Sequence, residues 1–201
     1  MQDLQLVMHG IAVKKYATVD DICSVTGLES DTVKELVTQA VAKGRASEAN
    51  GKYLLTPTGQ ITLKSAYSKA YGSLRRDEEF VAAYEDFERI NNDLKQAITE
   101  WQTIEIGGQT VTNDHSDADY DSAVIDRIGD IHERVDIVLD RLGRQESRLH
   151  RYREKLLSAL EKAEDGDIRW VSDATIESYH TVWFEMHEDL LRIMGREREE
   201  S

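Results

Sequence analysis

The chain is predicted to be mainly α, with a small helical module and one β-hairpin at its amino end followed by an antiparallel helical bundle. Three observations carry this expectation. Pro57 is the only proline among 201 residues, so little in the sequence interrupts a helix. From about residue 80 onward, long stretches place an apolar side chain every three or four positions, the helical period. Asn50-Gly51, between two short runs, is a strong hairpin-turn signal.

Composition bounds the class. Hydrophobic residues make up 40% of the chain and charged residues 32%, enough for a core with a large charged surface. The net charge is −14, but it is unevenly distributed. Residues 1–75 hold nine Lys/Arg and seven Asp/Glu, a net of +2, while residues 76–201 hold sixteen and thirty-two, a net of −16. The acidic part cannot lie along a phosphate backbone, whereas the first part can. No early segment has the basic start, apolar run and small-residue cleavage site of a secretory leader, and the apolar runs are too short to span a membrane. Cys23 is the only cysteine, so no intramolecular disulfide forms and a cytoplasmic location is expected.

The amino-terminal elements follow in order. Leu4, Val7, Met8 and Ile11 recur at helical spacing and predict a first helix. Thr18-Val19-Asp20-Asp21 is a capping-box pattern that starts a second helix, with Ile22 and Cys23 expected inward and Gly27 as its carboxy-terminal cap. A short turn leads to a third helix with Ser30 as the expected N-cap. Val33, Leu36, Val37, Ala40 and Val41 are its expected buried stripe, and Gly44 closes it. Residues 45–56 switch to a strand-like pattern around Asn50-Gly51, a small wing. Thr56-Pro57 then supplies a threonine N-cap and a proline at the first helical position. Two short helices joined by a tight glycine turn are a helix-turn-helix arrangement, and the hairpin makes it a winged one.

The segment Tyr53-Leu54-Leu55-Thr56-Pro57-Thr58-Gly59 resembles the wing-to-helix segment of winged-helix regulators of the MarR and PadR kinds, an aromatic followed by Leu-Thr-x-x-Gly. With Ile22, Gly27-Leu28, Val33, Leu36 and Gly44, the resemblance covers about a third of the chain. MarR proteins build a dimer body from both ends of the chain around the winged module. A module near the amino end with a helical domain after it is closer to the PadR layout. Asn113-Asp114-His115-Ser116-Asp117 with Tyr120-Asp121, and the run from His180 to Leu190, also resemble segments of small bacterial proteins of the MarR type. The resemblance implies a homodimeric, sequence-specific regulator of double-stranded DNA with a helical dimerisation or effector domain.

On that expectation the third helix enters a major groove, presenting Ser30, Thr32, Lys34 and Thr38, beside Asp31 and Glu35. Lys34 is the only base on this face, and no arginine is available there for a bidentate guanine contact. Lys43, Arg45 and Lys52, with Lys14 and Lys15, are the expected phosphate contacts. The competing expectation is a winged helix that serves as a protein-interaction scaffold. The thin basic face at 30–38 favours the scaffold, and the Lys43–Arg45–Lys52 cluster favours DNA.

The chain divides into a first domain at 1–75 and a helical domain at 76–201. Residues 57–103 read as helix with a break near Arg75-Arg76-Asp77. Phe80, Tyr84, Phe87, Ile90, Leu94, Ile98 and Trp101 form an apolar stripe that needs a partner. Residues 104–118 read as loop. Further helices are expected over about 118–142, ended by Gly143, over about 146–163, and over about 174–195 with Asp173 as the cap. The charged tail from Arg196 to Ser201 is expected to fray. About four long helices make an antiparallel bundle.

Candidate chemistry is sparse. His180 and His187 are seven positions apart and share a helix face with Trp183 and Phe184. With Asp114, His115 and Asp117, and Asp121 beside them, they are a candidate site for a small-molecule effector, the alternative being histidines bonded to buried carbonyls or carboxylates. The Asn113–Asp117 run equally reads as a helix cap with its loop. His132 and His150 sit on charged faces and are expected in solvent. Cys23 is either a redox-sensitive thiol or an inert core residue. No phosphate loop, dinucleotide fingerprint, nucleophile elbow or His-Glu-x-x-His occurs. No enzyme activity, cofactor, metal or membrane partner is therefore expected.

Overall fold

The computed structural model describes residues 1–197, and the expected fraying at 198–201 lies outside them. The chain is mainly α with two small antiparallel hairpins. It forms two compact units: Met1–Asp77 with the carboxy-terminal segment from His187, and Glu78–Met186.

The first unit opens with α1 (Asp3–Lys14), α2 (Val19–Thr26) and α3 (Ser30–Ala42). The capping box of α2 is formed: Asp21 N–H donates to Thr18 Oγ1 at 3.1 Å, and Thr18 N–H donates to Asp21 Oδ2 at 2.8 Å. Gly27 ends α2 at φ 77°, where a side chain would be strained, and its N–H reaches the Cys23 carbonyl. The core of this module is Val7, Met8, Ile11, Ile22, Val33, Val37 and Ala40, all essentially without exposure. Each such aliphatic contributes roughly 1.5–3 kcal/mol by leaving water.

Three expectations here need correction. Cys23 is half-buried rather than inward, because Val25 and Thr26 take the inner face of this short helix with Ile22. The N-cap of α3 is Glu29, with no side-chain bond, and Ser30 is already helical. Val41 is exposed, since the buried stripe ends with Ala40 two residues before the helix stops, and Leu36 of the expected stripe is only half-buried.

The hairpin pairs β1 (Ala46–Ala49) with β2 (Lys52–Leu55) around Asn50 at φ 54° and Gly51 at φ 75°. Two left-handed residues in sequence are what a two-residue turn of matching twist requires. A third edge is added by Ala17, whose N–H donates to the Tyr53 carbonyl at 2.9 Å while Tyr53 N–H donates back at 2.7 Å.

α4 (Pro57–Tyr71) starts where Thr56 accepts the Gly59 N–H at 3.1 Å and donates to the Gly44 carbonyl at 2.7 Å. Gly59 is required for space: a Cβ there would lie 1.9 Å from the Arg45 carbonyl oxygen. After a single 3-10 turn at Leu74–Arg76, the unit is completed by the second half of α9 (Tyr179–Met194). His9 and Asp189, neither with any exposed side chain, lie 3.1 Å apart, Nε2 to Oδ1. The other ring nitrogen of His9 is 2.8 Å from the Tyr67 hydroxyl. Arg75 donates to the carbonyls of Ile193 at 2.6 Å and Arg192 at 3.2 Å, closing the end of α9. Residues from His187 therefore pack with the amino-terminal helices, whereas the sequence placed them with the bundle.

The second unit contains α5 (Glu78–Gln102), β3 (Thr103–Ile106), β4 (Gln109–Thr112), α6 (Ala118–Gln145), a 3-10 turn at Ser147–Leu149, α7 (His150–Glu164), α8 (Arg169–Ser172) and the first half of α9. The stripe from Phe80 to Trp101 is buried. It meets α6, whose Val124, Ile128, Ile131, Val135 and Val138 are buried in turn.

Charged side chains tie these helices. Arg134 donates to Asp93 at 2.8 Å, Arg141 to Asp86 at 2.6 Å, and Arg127 bonds Glu100. Arg153 forks onto both oxygens of Asp136 at 2.6 Å. That hydrogen bonding holds the Asp136 carboxyl below the usual carboxylate range.

Four readings of this stretch differ from the structure. Residues 103–112 form a hairpin rather than loop, because Thr-Ile-Glu-Ile and Gln-Thr-Val-Thr flank a Gly-Gly turn. Gly143 lies inside α6, where it lets the His150 ring approach; a Cβ would sit 2.4 Å from that ring. Asp173 caps a turn by accepting from Thr175 N–H, and the last helix begins only at Tyr179. His132 is buried, with Nδ1 3.3 Å from the Tyr179 hydroxyl.

Two outcomes test this account. Gly59→Ala, a change that favours most helices, is expected to destabilise the protein by about 2 kcal/mol through the clash with Arg45. A denaturant midpoint at or above wild type would contradict the close approach. Burial lowers the His132 pKa, so the unfolded chain takes up this proton first as pH falls. The His132 contribution is therefore complete above its unfolded value near 6.5 and declines below it. Melting at pH 7.5 and 5.5 should show a gap that narrows in His132→Gln; an unchanged gap would remove His132 as its source.

Candidate nucleic-acid interface

The exposed side of α3 follows from its buried side. With Val33, Val37 and Ala40 turned inward, Asp31, Thr32, Lys34, Glu35 and Thr38 are exposed and Ser30 is half-buried at the first turn. This surface is polar and nearly balanced in charge. Lys34 Nζ is 3.1 Å from Asp31 Oδ1, and Thr38 donates to the Lys34 carbonyl at 2.8 Å. Gln39 donates to Glu35 at 3.3 Å.

The basic positions lie at the end of α3 and along the hairpin. Lys43 is the exposed carboxy-terminal cap of α3. Arg45 is half-buried and occupies the turn into β1, its N–H donating to the Ala40 carbonyl at 2.9 Å. Lys52 is exposed at the start of β2, with Nζ 5.1 Å from the centre of the Tyr16 ring. Lys14 pairs with Asp21 at 3.8 Å and keeps only 12% of its side chain exposed, so it is a structural cation rather than a surface one.

Tyr16 is a contact of this hairpin that sequence reasoning missed. Its hydroxyl donates to the Ala49 carbonyl at 2.7 Å, and its ring supports Lys52. At the tip, Gly51 N–H donates to Glu48 Oε1 at 2.6 Å. The hairpin is thus fixed at its base by the Ala17–Tyr53 exchange and at its tip by Tyr16 and Glu48. The available signal was an aromatic two positions before the helix-capping Thr18.

The sequence-predicted effector residues are engaged as follows. Asp117 caps α6 by accepting Tyr120 N–H at 3.0 Å. Asp114 accepts Ser116 N–H at 3.1 Å, and hydrogen bonds from Ser116 hold its carboxyl below the usual range. His115, at φ 57°, places Nδ1 3.0 Å from Asp121 Oδ2 and its ring 4.5 Å from the Trp101 ring centre. Asn113 joins them, donating to Asp121 at 2.9 Å and to the Trp101 carbonyl at 3.1 Å. Trp183 is bonded elsewhere, its Nε1–H donating to Asn91 at 2.9 Å and its ring stacking on Phe87 and Tyr179. His180 is half-buried in the second unit, whereas His187 is buried in the first. Phe184 is exposed rather than part of an inward stripe.

Among the described residues no group of three His, Cys, Asp or Glu side chains is arranged to hold a metal ion. Burial first, and then the nearby Asp20 carboxylate, push the Cys23 thiol upward, away from the reactive thiolate. Among the described residues no helix is long and apolar enough to cross a membrane. No family model, no curated protein and no solved structure matches the chain.

Removing the Tyr16 hydroxyl tests the support of the hairpin. Tyr16→Phe is expected to speed amide exchange at Lys52 and Tyr53 by about fivefold, the equivalent of one hydrogen bond of ~1 kcal/mol. Unchanged exchange at both amides would show that the tip is held without it.

Proposed function

We propose that the amino-terminal unit is a winged helix-turn-helix of the MarR/PadR kind and that the protein is a homodimeric, sequence-specific regulator of transcription. The observation that carries this reading is the ordering of three features in one module. α2 and α3 are joined at the left-handed Gly27, a hairpin follows α3 directly, and that hairpin is tied back to Ala17. In this arrangement α3 offers Thr32, Lys34 and Thr38 to base edges, while Lys43, Arg45 and Lys52 reach the phosphates. The uneven charge supports the same assignment, since residues 1–75 carry a net +2 and the rest −16. The acidic second unit is assigned to dimerisation, and a dimer reads a palindromic operator.

A second reading is favoured by one specific observation. Lys34 is paired with Asp31, and Glu35 lies alongside, so the exposed face of α3 carries slightly more acid than base. A protein partner suits such a surface as well as a duplex does.

Selection from random duplexes across a salt series separates the two. The regulator reading expects enrichment of a palindrome and affinity that falls as salt rises. Lys52→Glu should weaken binding to all sequences and lower the salt slope by about one, the value of a phosphate contact. Absence of binding even at low salt, or an unchanged slope in the variant, would turn the assignment toward a protein-interaction module.

A further inference from the structure

Among the described residues, the outer edge of β4 in the second unit has no neighbouring strand. Its hydrogen-bonding pattern follows from the register. In a hairpin closed by a two-residue turn, the flanking residues exchange both backbone hydrogen bonds, and the exchange recurs at every second position. Ile106 with Gln109 and Ile104 with Val111 are therefore the bonded pairs. The Asn113 N–H continues the ladder by donating to the Gln102 carbonyl at 2.9 Å. The residues between turn their N–H and C=O groups outward: Thr103 and Glu105 on β3, Thr110 and Thr112 on β4.

The two edges differ. On β3 the Thr103 carbonyl accepts from the Tyr120 hydroxyl at 3.4 Å, and Glu105 adds a charge. On β4 every residue is exposed, and from Ile106 to Asn113 the sequence has no charged residue and no proline. Charges and prolines are the usual means by which an edge strand is kept from pairing. Side chains alternate across a strand, so one face of the hairpin carries Ile104, Ile106 and Val111, and the other carries Thr103, Glu105, Thr110 and Thr112. Ile106 is 61% and Val111 38% exposed, an apolar strip in a part of the chain whose net charge is −16.

We infer that β4 pairs antiparallel with β4 of a second copy of this chain, joining two hairpins into one four-stranded sheet about a two-fold axis at Val111. The outward groups set the register. With Val111 opposite Val111 of the partner subunit, Thr110 faces Thr112 of the partner subunit, and every outward N–H and C=O of Thr110 and Thr112 finds a partner. A slip by two positions sets one threonine against Gly108 or Asp114 instead, outside the strand. On one face threonines meet across the new pairing, and on the other the valines meet as a non-bonded pair with Cα atoms about 4.5 Å apart. The apolar strips of the two copies then become continuous. A second copy fits better than a foreign strand because this register is self-complementary. The edge is also a place where two acidic surfaces meet without opposing like charges. The inference deepens the dimer reading above and rests on it for the two-fold symmetry.

Sedimentation of the full chain over a concentration series, without DNA, measures the association. The contact is smaller than the roughly 1,200–2,000 Å² of stable interfaces, so a dissociation constant on the order of 10–100 µM is expected. It should tighten as salt rises and screens the acidic surfaces. Thr110→Pro removes an outward N–H and leaves the β3–β4 ladder intact, and it should weaken the dimer about tenfold. Val111→Lys, which sets two ammonium groups face to face, should weaken it at least as much. Should either variant disturb the hairpin, crosslinking supplies a second readout. In a Cys23→Ser background, Val111→Cys should close a disulfide across the axis on mild oxidation, whereas Glu105→Cys on β3 should not. A dimer indifferent to Thr110→Pro and Val111→Lys, or crosslinking no faster at Val111→Cys than at Glu105→Cys, would overturn the edge pairing and leave the dimer reading standing. A monomer at every concentration would overturn both, with DNA selection still deciding the regulator reading.

Discussion

The amino-terminal unit depends on a buried acid and base brought together from opposite ends of the chain. His9 and Asp189 are separated by 180 positions, yet each is fully enclosed, and Tyr67 engages the remaining nitrogen of His9. Removing one partner of such a pair typically costs on the order of 3–5 kcal/mol, because the other is left unpaired in a medium that cannot solvate it. The arrangement is therefore demanding as well as stabilising: α1, α4 and the second half of α9 must keep one geometry to hold His9, Tyr67 and Asp189 together. Arg75 and Arg192 reinforce it by bonding backbone carbonyls of α9 and α1. A cleft of about 660 Å³ lies against the same elements, lined from α1, β2, α4 and α9 with Lys15, Arg75 and Arg196 beside them.

A second constraint positions the first hairpin. Thr56 ties the start of α4 to the Gly44 carbonyl, and Gly59 lets the helix approach the Arg45 backbone more closely than any side chain would permit. The hairpin is thus anchored by α4 at one end and by Ala17 and Tyr16 along its length. A two-stranded ribbon is marginal in water without such support. The second hairpin, at 103–112, extends directly from α5, and the Asn113 side chain fastens its exit to the Trp101 carbonyl.

In the second unit, hydrophobic burial sets the helix faces and charged pairs set their registry. The α5 stripe from Phe80 to Trp101 fits the buried face of α6, while arginines of α6 reach carboxylates of α5. Half-exposed pairs of this kind each contribute little to stability. Their value lies in fixing one alignment of two long helices whose apolar stripes alone would tolerate a shift by a turn. The acidic surplus of this half is therefore organised against its arginines as well as solvated.

Local signals were legible in the sequence because they act within a few residues. The Thr18–Asp21 box, the Gly27 cap, the Asn50-Gly51 turn and the Thr56-Pro57 start all formed as their chemistry requires. So did the periodic stripe of α5, which needs only the helical repeat to be recognised. The exposed positions on α3 were readable for the same reason. What could not be read was anything that depends on a distant partner. His132 was expected in solvent and is buried beside Tyr179, and His180 and His187 were grouped by spacing but belong to different units. The sequence by itself determined the starts of α2 and α4, the end of α2 and the Asn50-Gly51 turn, because capping, turn conformation and periodicity are local interactions. The tertiary structure alone decided that His9 meets Asp189, that residues from His187 complete the first unit, and that His132 is enclosed beside Tyr179. Those outcomes rest on packing and desolvation between segments far apart in the chain, which no local pattern encodes.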